Sequence, residues 1–202
     1  MPQTIERPAD IVTAPVEAGR LITTEELLAM PDGGVDLELI RGQIRAVDVT
    51  RRNPSHSFVE ANTAGIFWAW IKTQPEPRGR VYCGEIGFRI RRDPDTTVGI
   101  DVAYIDAAMV ANIPRKAGLI EGSPILAVEI LSPSDKQEDI LAKVQEYLES
   151  GTKIVLLLEP VFETVTVFRP DAQPMLLAGK QELNVEPHLP GFRCEVSEFF
   201  RG

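Results

Sequence analysis

Two short segments each place one acid inside an apolar run. GIDVAYI (residues 99–105) carries Asp101, and PILAVEIL (residues 124–131) carries Glu129 just before a Ser-Pro-Ser turn. Alternation along an extended strand puts Val98, Ile100, Val102 and Tyr104 on one face and Asp101, Ala103 and Ile105 on the other. The same rule sets Leu126, Val128 and Ile130 opposite Ile125, Ala127, Glu129 and Leu131. Each strand therefore reads as buried on both sides, with one acid on an otherwise apolar face. An unpaired buried carboxylate is costly, so each acid needs a cation, hydrogen-bond donors or a metal.

On neighbouring strands the two acids would converge on one point. A hard divalent cation relieves their repulsion, and Mg²⁺ suits such a site because it takes one or two protein carboxylates and keeps several waters. That leaves room for a phosphate and an attacking water. Lys143 is the candidate positive group. It follows Ile140 by three residues and precedes Tyr147 by four, so the three share a helical face. Two readings stay open. Lys143 points inward with that face, or it forms an exposed pair with Asp139 at i, i+4.

The surrounding sequence predicts the elements that would hold these residues. Thr23 and Glu26 have capping-box spacing at the start of a short helix, TTEELLAM. VDLELI and QIRAVDV flank an Arg41-Gly42 turn and read as a hairpin. Asn53-Pro54-Ser55 opens a helix whose apolar positions include Phe58, Val59, Ile66, Trp68 and Ile71. RVYCGEIGFRI is a strand, and residues 106–122 read as a helical turn plus loop. DKQEDILAKVQEYLESG is a helix closed by Gly151. KIVLLLEP and ETVTVFRP are further strands, followed by short strands near residues 175–178 and a terminal turn. The order implies one mixed α/β domain over residues 21–202 behind a loosely packed tail, 1–20.

Bulk properties narrow the function. The chain has 202 residues, 44% hydrophobic and 25% charged, the balance of a soluble globular domain. No apolar run approaches the length of a membrane span, and the start lacks the pattern of a secretory signal. Cys83 and Cys194 have no metal-ligand spacing and read as free thiols in a reducing cytoplasm. Net charge is −9, which argues against a general nucleic-acid binder. Yet residues 41–92 hold ten Lys/Arg against four acids, a +6 span that leaves −15 for the rest. That span forms either a basic face that meets a polyanion or scattered, solvated arginines.

The ordered run of motifs resembles the PD-(D/E)XK nuclease superfamily, and within it the Uma-two family of restriction endonucleases. It covers roughly residues 21–200: LELIRGQI, Pro54-Ser55-His56, GIDVAYID, AVEILSPSD, AKVQEYLESGTK, the strand ending Glu159-Pro160, VTVFRP and LPGF. The resemblance implies a restriction-endonuclease-like core: a mixed central sheet flanked by helices, with an N-terminal β-hairpin. It implies that Asp101 and Glu129 hold the metal, with the Ile130 carbonyl adding a ligand. It places Glu38 at the rim of the site and His56 at the start of the first long helix. Leu131 stands where the superfamily has its lysine, and Lys143 on the following helix takes that place. Ile100 replaces the proline of the superfamily name, and Glu159 stands where the family often has Asp.

The implied activity is Mg²⁺-dependent hydrolysis of DNA, with Mn²⁺ as a substitute and a homodimer presenting two sites to two strands. Lys143 would position or deprotonate the attacking water, or neutralise the phosphate. Two alternatives stand beside it. One is a catalytically weak domain of the same fold used for binding, its acids paired internally with Lys143 and an arginine. The other is one subunit of a larger assembly that supplies DNA specificity elsewhere.

Overall fold

The computed structural model describes residues 20–31, 36–47, 54–133 and 135–201. Residues 1–19 of the predicted tail, the Pro31 to Gly34 break beyond Pro31, Arg51, Arg52 and Ser134 lie outside the described residues. The chain order is α1 (Thr24–Leu28), β1 (Asp36–Ile40), β2 (Gln43–Val47), α2 (Pro54–Ile71), β3 (Arg80–Arg91), β4 (Thr96–Ile105), α3 (Ala107–Asn112) and β5 (Ile120–Glu121). There follow β6 (Leu126–Ile130), α4 (Gln137–Ser150), β7 (Ile154–Glu159), β8 (Thr164–Phe168), β9 (Met175–Ala178), β10 (Glu182–Asn184), β11 (Arg193–Glu195) and a 3₁₀ turn at Val196–Phe199.

A nine-stranded sheet runs β2-β1-β4-β6-β7-β8-β9, with β3 on β4 and β5 on β3. It is mixed: β6 and β7 are parallel and joined through α4, and the other long ladders are antiparallel. The expected mixed α/β fold with an N-terminal hairpin is what the chain forms. The Thr23–Glu26 capping box closes the start of α1, and Gly151, at φ +114, ends α4 in the left-handed region that favours glycine. Among the described residues no helix is long and apolar enough to cross a membrane.

Two cores cover the two faces of the sheet. One joins Val59, Phe67 and Trp70 of α2 to Val102, Val128, Leu156 and the C-terminal Phe192 and Phe199. The other joins Val144 and Tyr147 of α4 to Ile100, Ala103, Ala127 and Leu157. Two sequence expectations need correction here. Phe58 and Trp68 are 44% and 55% exposed, while Phe67 and Trp70 are buried. Apolar residues lie all round α2, so their spacing does not say which side meets the sheet. Strict alternation along β4 also fails. Val98 and Ile100 pack in the same core as Ala103 and Ile105, whereas Val102 and Tyr104 join the other. The break falls at Asp101, opposite a register shift in β3 where Gly84 and Glu85 have φ +86 and +56. Such a bulge bends and twists the strand pair, which re-aims the side chains beside it.

Candidate active site

β4 carries the site because its second edge is shared. One edge pairs with β3 along nearly its whole length. On the other, Thr97 pairs with Leu39 of β1, and residues 102–104 pair with residues 126–128 of β6. Between these ladders the sheet forks. Side-chain carboxylates take up backbone donors there: Glu38 Oε1 accepts the Gly99 N–H at 2.9 Å, and Asp101 Oδ2 accepts the Ile130 N–H at 2.8 Å. Backbone N–H groups without ladder partners need such acceptors.

Glu129 follows the last pair that β6 makes with β4, is still paired with Leu157 of β7, and is 7% exposed. Its Oε1 accepts the hydroxyl of Tyr147, and its Oε2 lies 3.3 Å from Lys143 Nζ. Lys143 Nζ also stands 2.9 Å from Glu38 Oε1. Lys143 therefore points inward, and Asp139 pairs instead with Arg45 at 3.5 Å. Tyr147 shares the Lys143 face one turn on and is fully buried. Buried Glu146 fixes the far end of α4. It pairs with Arg41 and Arg91 and accepts from the Thr96 hydroxyl.

Electrostatics follow from this packing. Burial pushes the Glu129 carboxyl up to about 8, with Lys143 opposing the push and Asp101 adding to it. Burial alone would lower the Lys143 ammonium, but Glu129 and Glu38 outweigh it and hold it above the ordinary lysine range. Burial, then Glu129 and Glu38, raise the Tyr147 hydroxyl, which keeps it a donor.

Asp101 is 3% exposed and turns toward α2, where His56 Nε2 lies 3.4 Å from its Oδ2. His56 Nδ1 lies 3.9 Å from Glu60 Oε2 one turn on. The fold thus brings Asp101, Glu129, Ile130, Lys143, Glu38 and His56 to one fork, with the acids serving different helices. Sequence reasoning missed Tyr147 and Glu60 as site residues. Each follows a named residue by four positions on a helix, a spacing visible in the sequence. Beside Glu38 opens a cavity of about 260 Å³ lined by Leu27, Leu37, Leu119, Glu85 and Gly99.

Comparison with known proteins bears on the family and the fold. The family model described as "Uma2: Putative restriction endonuclease" matches residues 24–197. A crystal structure described as "a putative nuclease belonging to DUF820" from Anabaena variabilis is 22% identical, with a TM-score of 0.73, covering 89% of this chain and 97% of that one. At that identity the likeness concerns the fold. No curated protein matches the chain.

Proposed function

The chain belongs to the Uma2 family, and from that premise we propose that it is a metal-dependent endonuclease hydrolysing DNA phosphodiester bonds. The observation that carries the reading is buried Glu129, held between Lys143 and Tyr147 in the fork that also takes Asp101. The donor set fits a hard cation. Each carboxylate offers about four lone-pair sites, more than Tyr147 and Lys143 occupy on Glu129. Asp101 and Glu129 would hold Mg²⁺ or Mn²⁺, and the Ile130 carbonyl is the third oxygen of the reading. When bound, the ion supplies a Lewis acid for a phosphoryl oxygen and acidifies a water.

The side chains have distinct tasks in this reading. Tyr147 holds the Glu129 carboxylate in orientation through its hydroxyl. Lys143 brings a positive charge to the phosphate and is itself held by Glu38, which the Gly99 N–H fixes. A homodimer acting in a reducing cytoplasm completes the proposal, with one site for each strand.

Plasmid nicking in Mg²⁺ or Mn²⁺ tests the reading. Wild-type protein should nick DNA, and Glu129→Gln should lose about 10²-fold or more while keeping its circular dichroism spectrum. Undiminished cleavage by the folded variant would sink the mechanism. The second reading, a binding module of the same fold, is favoured by Lys143 already neutralising Glu129 and Glu38. It predicts no cleavage of single- or double-stranded DNA by the wild type in either ion.

A further inference from the structure

On the α2 side of Asp101 the structure gathers a second donor set. His56 and Glu60 stand one turn apart on α2, and Asp101 reaches them from β4. One ligand atom from each residue lies within 4.8 Å of the other two. An ion holding N and O donors at about 2.1 Å spans at most about 4.2 Å between them. Only one pair of donors can lie opposite each other on an ion, and His56 can offer it a single nitrogen although its two nitrogens face different carboxylates, so closing the set onto one ion needs the imidazole to turn and the carboxylates to draw in.

Both carboxylates are oriented by backbone donors. Glu60 Oε1 accepts the Gly84 N–H at 2.7 Å, and it is Oε2 that lies on the His56 side. Asp101 Oδ2 accepts the Ile130 N–H. Hydrogen bonds of this kind hold ligands in place around metal ions. The β3 bulge at Gly84 and Glu85 thus has a task, since it aims an N–H at Glu60. His56 and Asp101 are 6% and 3% exposed, so the donors sit in a low-dielectric setting. The set offers one imidazole nitrogen and two carboxylates, and it lies apart from the ion pairs that Lys143 makes with Glu38 and Glu129.

We propose that His56, Glu60 and Asp101 form a site for a divalent first-row transition ion, separate from the Asp101–Glu129 pair and sharing only Asp101 with it. The imidazole sets the preference. One nitrogen with two carboxylates suits Mn²⁺, Fe²⁺, Co²⁺ or Zn²⁺ better than Mg²⁺, which prefers oxygen donors throughout. The site does not depend on the chain being a nuclease.

Co²⁺ titration of the whole protein tests it, read by visible absorption and by calorimetry. Wild-type protein should develop the visible bands of protein-bound Co²⁺. His56→Ala and Glu60→Gln should each weaken binding by about 10- to 100-fold. Glu60→Gln retains size and an oxygen for the Gly84 N–H, so its circular dichroism and melting curve should match the wild type. Glu129→Gln should leave these bands in place. Bands and affinity unchanged in folded Glu60→Gln and His56→Ala would overturn the site, and the trio would then be a structural contact of one imidazole with two carboxylates. Bands lost only in Glu129→Gln would also overturn it while sparing the nuclease reading. Co²⁺ binding that follows His56 and Glu60, in a protein that cleaves no DNA, would support this site and sink the nuclease reading instead.

Discussion

Lys143 is the residue on which the two walls of the fork depend. Its ammonium serves Glu38 and Glu129 at once, and it is mostly buried. Lys143→Ala leaves both carboxylates without their shared cation. Breaking a buried pair in this way costs about 3 kcal/mol, so the melting temperature should drop by several degrees. On the proposed nuclease reading, cleavage should fall by about 10²-fold or more as the phosphate would lose its positive partner. Adding Glu129→Gln to Lys143→Ala should restore part of the stability and, on the nuclease reading, none of the activity, because it removes one acid left without its cation together with a proposed metal ligand. Thermal melts and plasmid nicking on the single and double variants check both halves. Tyr147→Phe is the milder probe. It deletes the hydroxyl that Glu129 accepts and should cost about 1–2 kcal/mol, with a smaller loss of cleavage than Glu129→Gln.

The hairpin that delivers Glu38 is tied to β4 by a short ladder at Leu39 and Thr97, so other contacts must hold it. A polar clamp does so. Asp95 Oδ2 accepts the Thr24 N–H at 2.8 Å and the Thr24 hydroxyl at 2.6 Å, and Gly42 donates to the Asp95 carbonyl at 2.6 Å. Burial would raise the Asp95 carboxyl, but Thr24 and Arg89 outweigh it and hold it below its ordinary value. Arg89 likewise holds Glu121 low. A depressed carboxyl contributes stability that is present above its unfolded value of about 4 and is lost as pH falls through the lower folded value. Wild-type stability should therefore fall off below about pH 4, and Asp95→Asn should start lower at neutral pH and lose less on acidification. Melting curves taken from pH 7 to pH 3 decide this; parallel curves for the two proteins would rule out the clamp. The clamp also shows where sequence reading stops. Strands, the long helices and Gly151 are local patterns and were legible, whereas spacing alone left Lys143 between an inward and an exposed reading that the ion pairs with Glu38 and Glu129 decide. The fork is not legible, because it arises from β1 and β6 meeting one edge of β4 across long separations in the chain. β5 and β10, at two and three residues, are too short to carry a periodicity. Asp101 was legible as a buried acid, but its turn toward His56 depends on the β3 bulge opposite, which the sequence of β4 does not contain.

At the scale of the molecule the charge distribution sets how a polyanion could approach. The basic span of residues 41–92 does not form an open basic face among the described residues. Arg41 and Arg91 pair with Glu146 and Glu149, Arg45 with Asp139, and Arg78 with Glu76. Arg89 pairs with Glu25, Asp95 and Glu121, and Arg92 with Glu121. Lys72 stacks on Trp68, 3.3 Å from the ring centroid. Arg41, Arg45, Arg89, Arg91 and Arg92 tie α1, α4 and β5 to the sheet, so much of the local excess of arginine is answered by acids distant in sequence, within a chain of net charge −9. Each phosphate neutralised by a basic side chain releases counterions and steepens the fall of affinity with salt by about 0.9 per contact. Engagement of the whole span would give a log–log slope steeper than about −5. With most of the described arginines of the span already paired, the protein should instead bind a short duplex weakly, with a slope shallower than about −3. Fluorescence anisotropy from low to moderate salt, in Ca²⁺ to block cleavage, measures this directly. A steep slope would mean that DNA opens these ion pairs, and would transfer to the arginines the recognition that the fork would otherwise provide through Lys143 and bound metal.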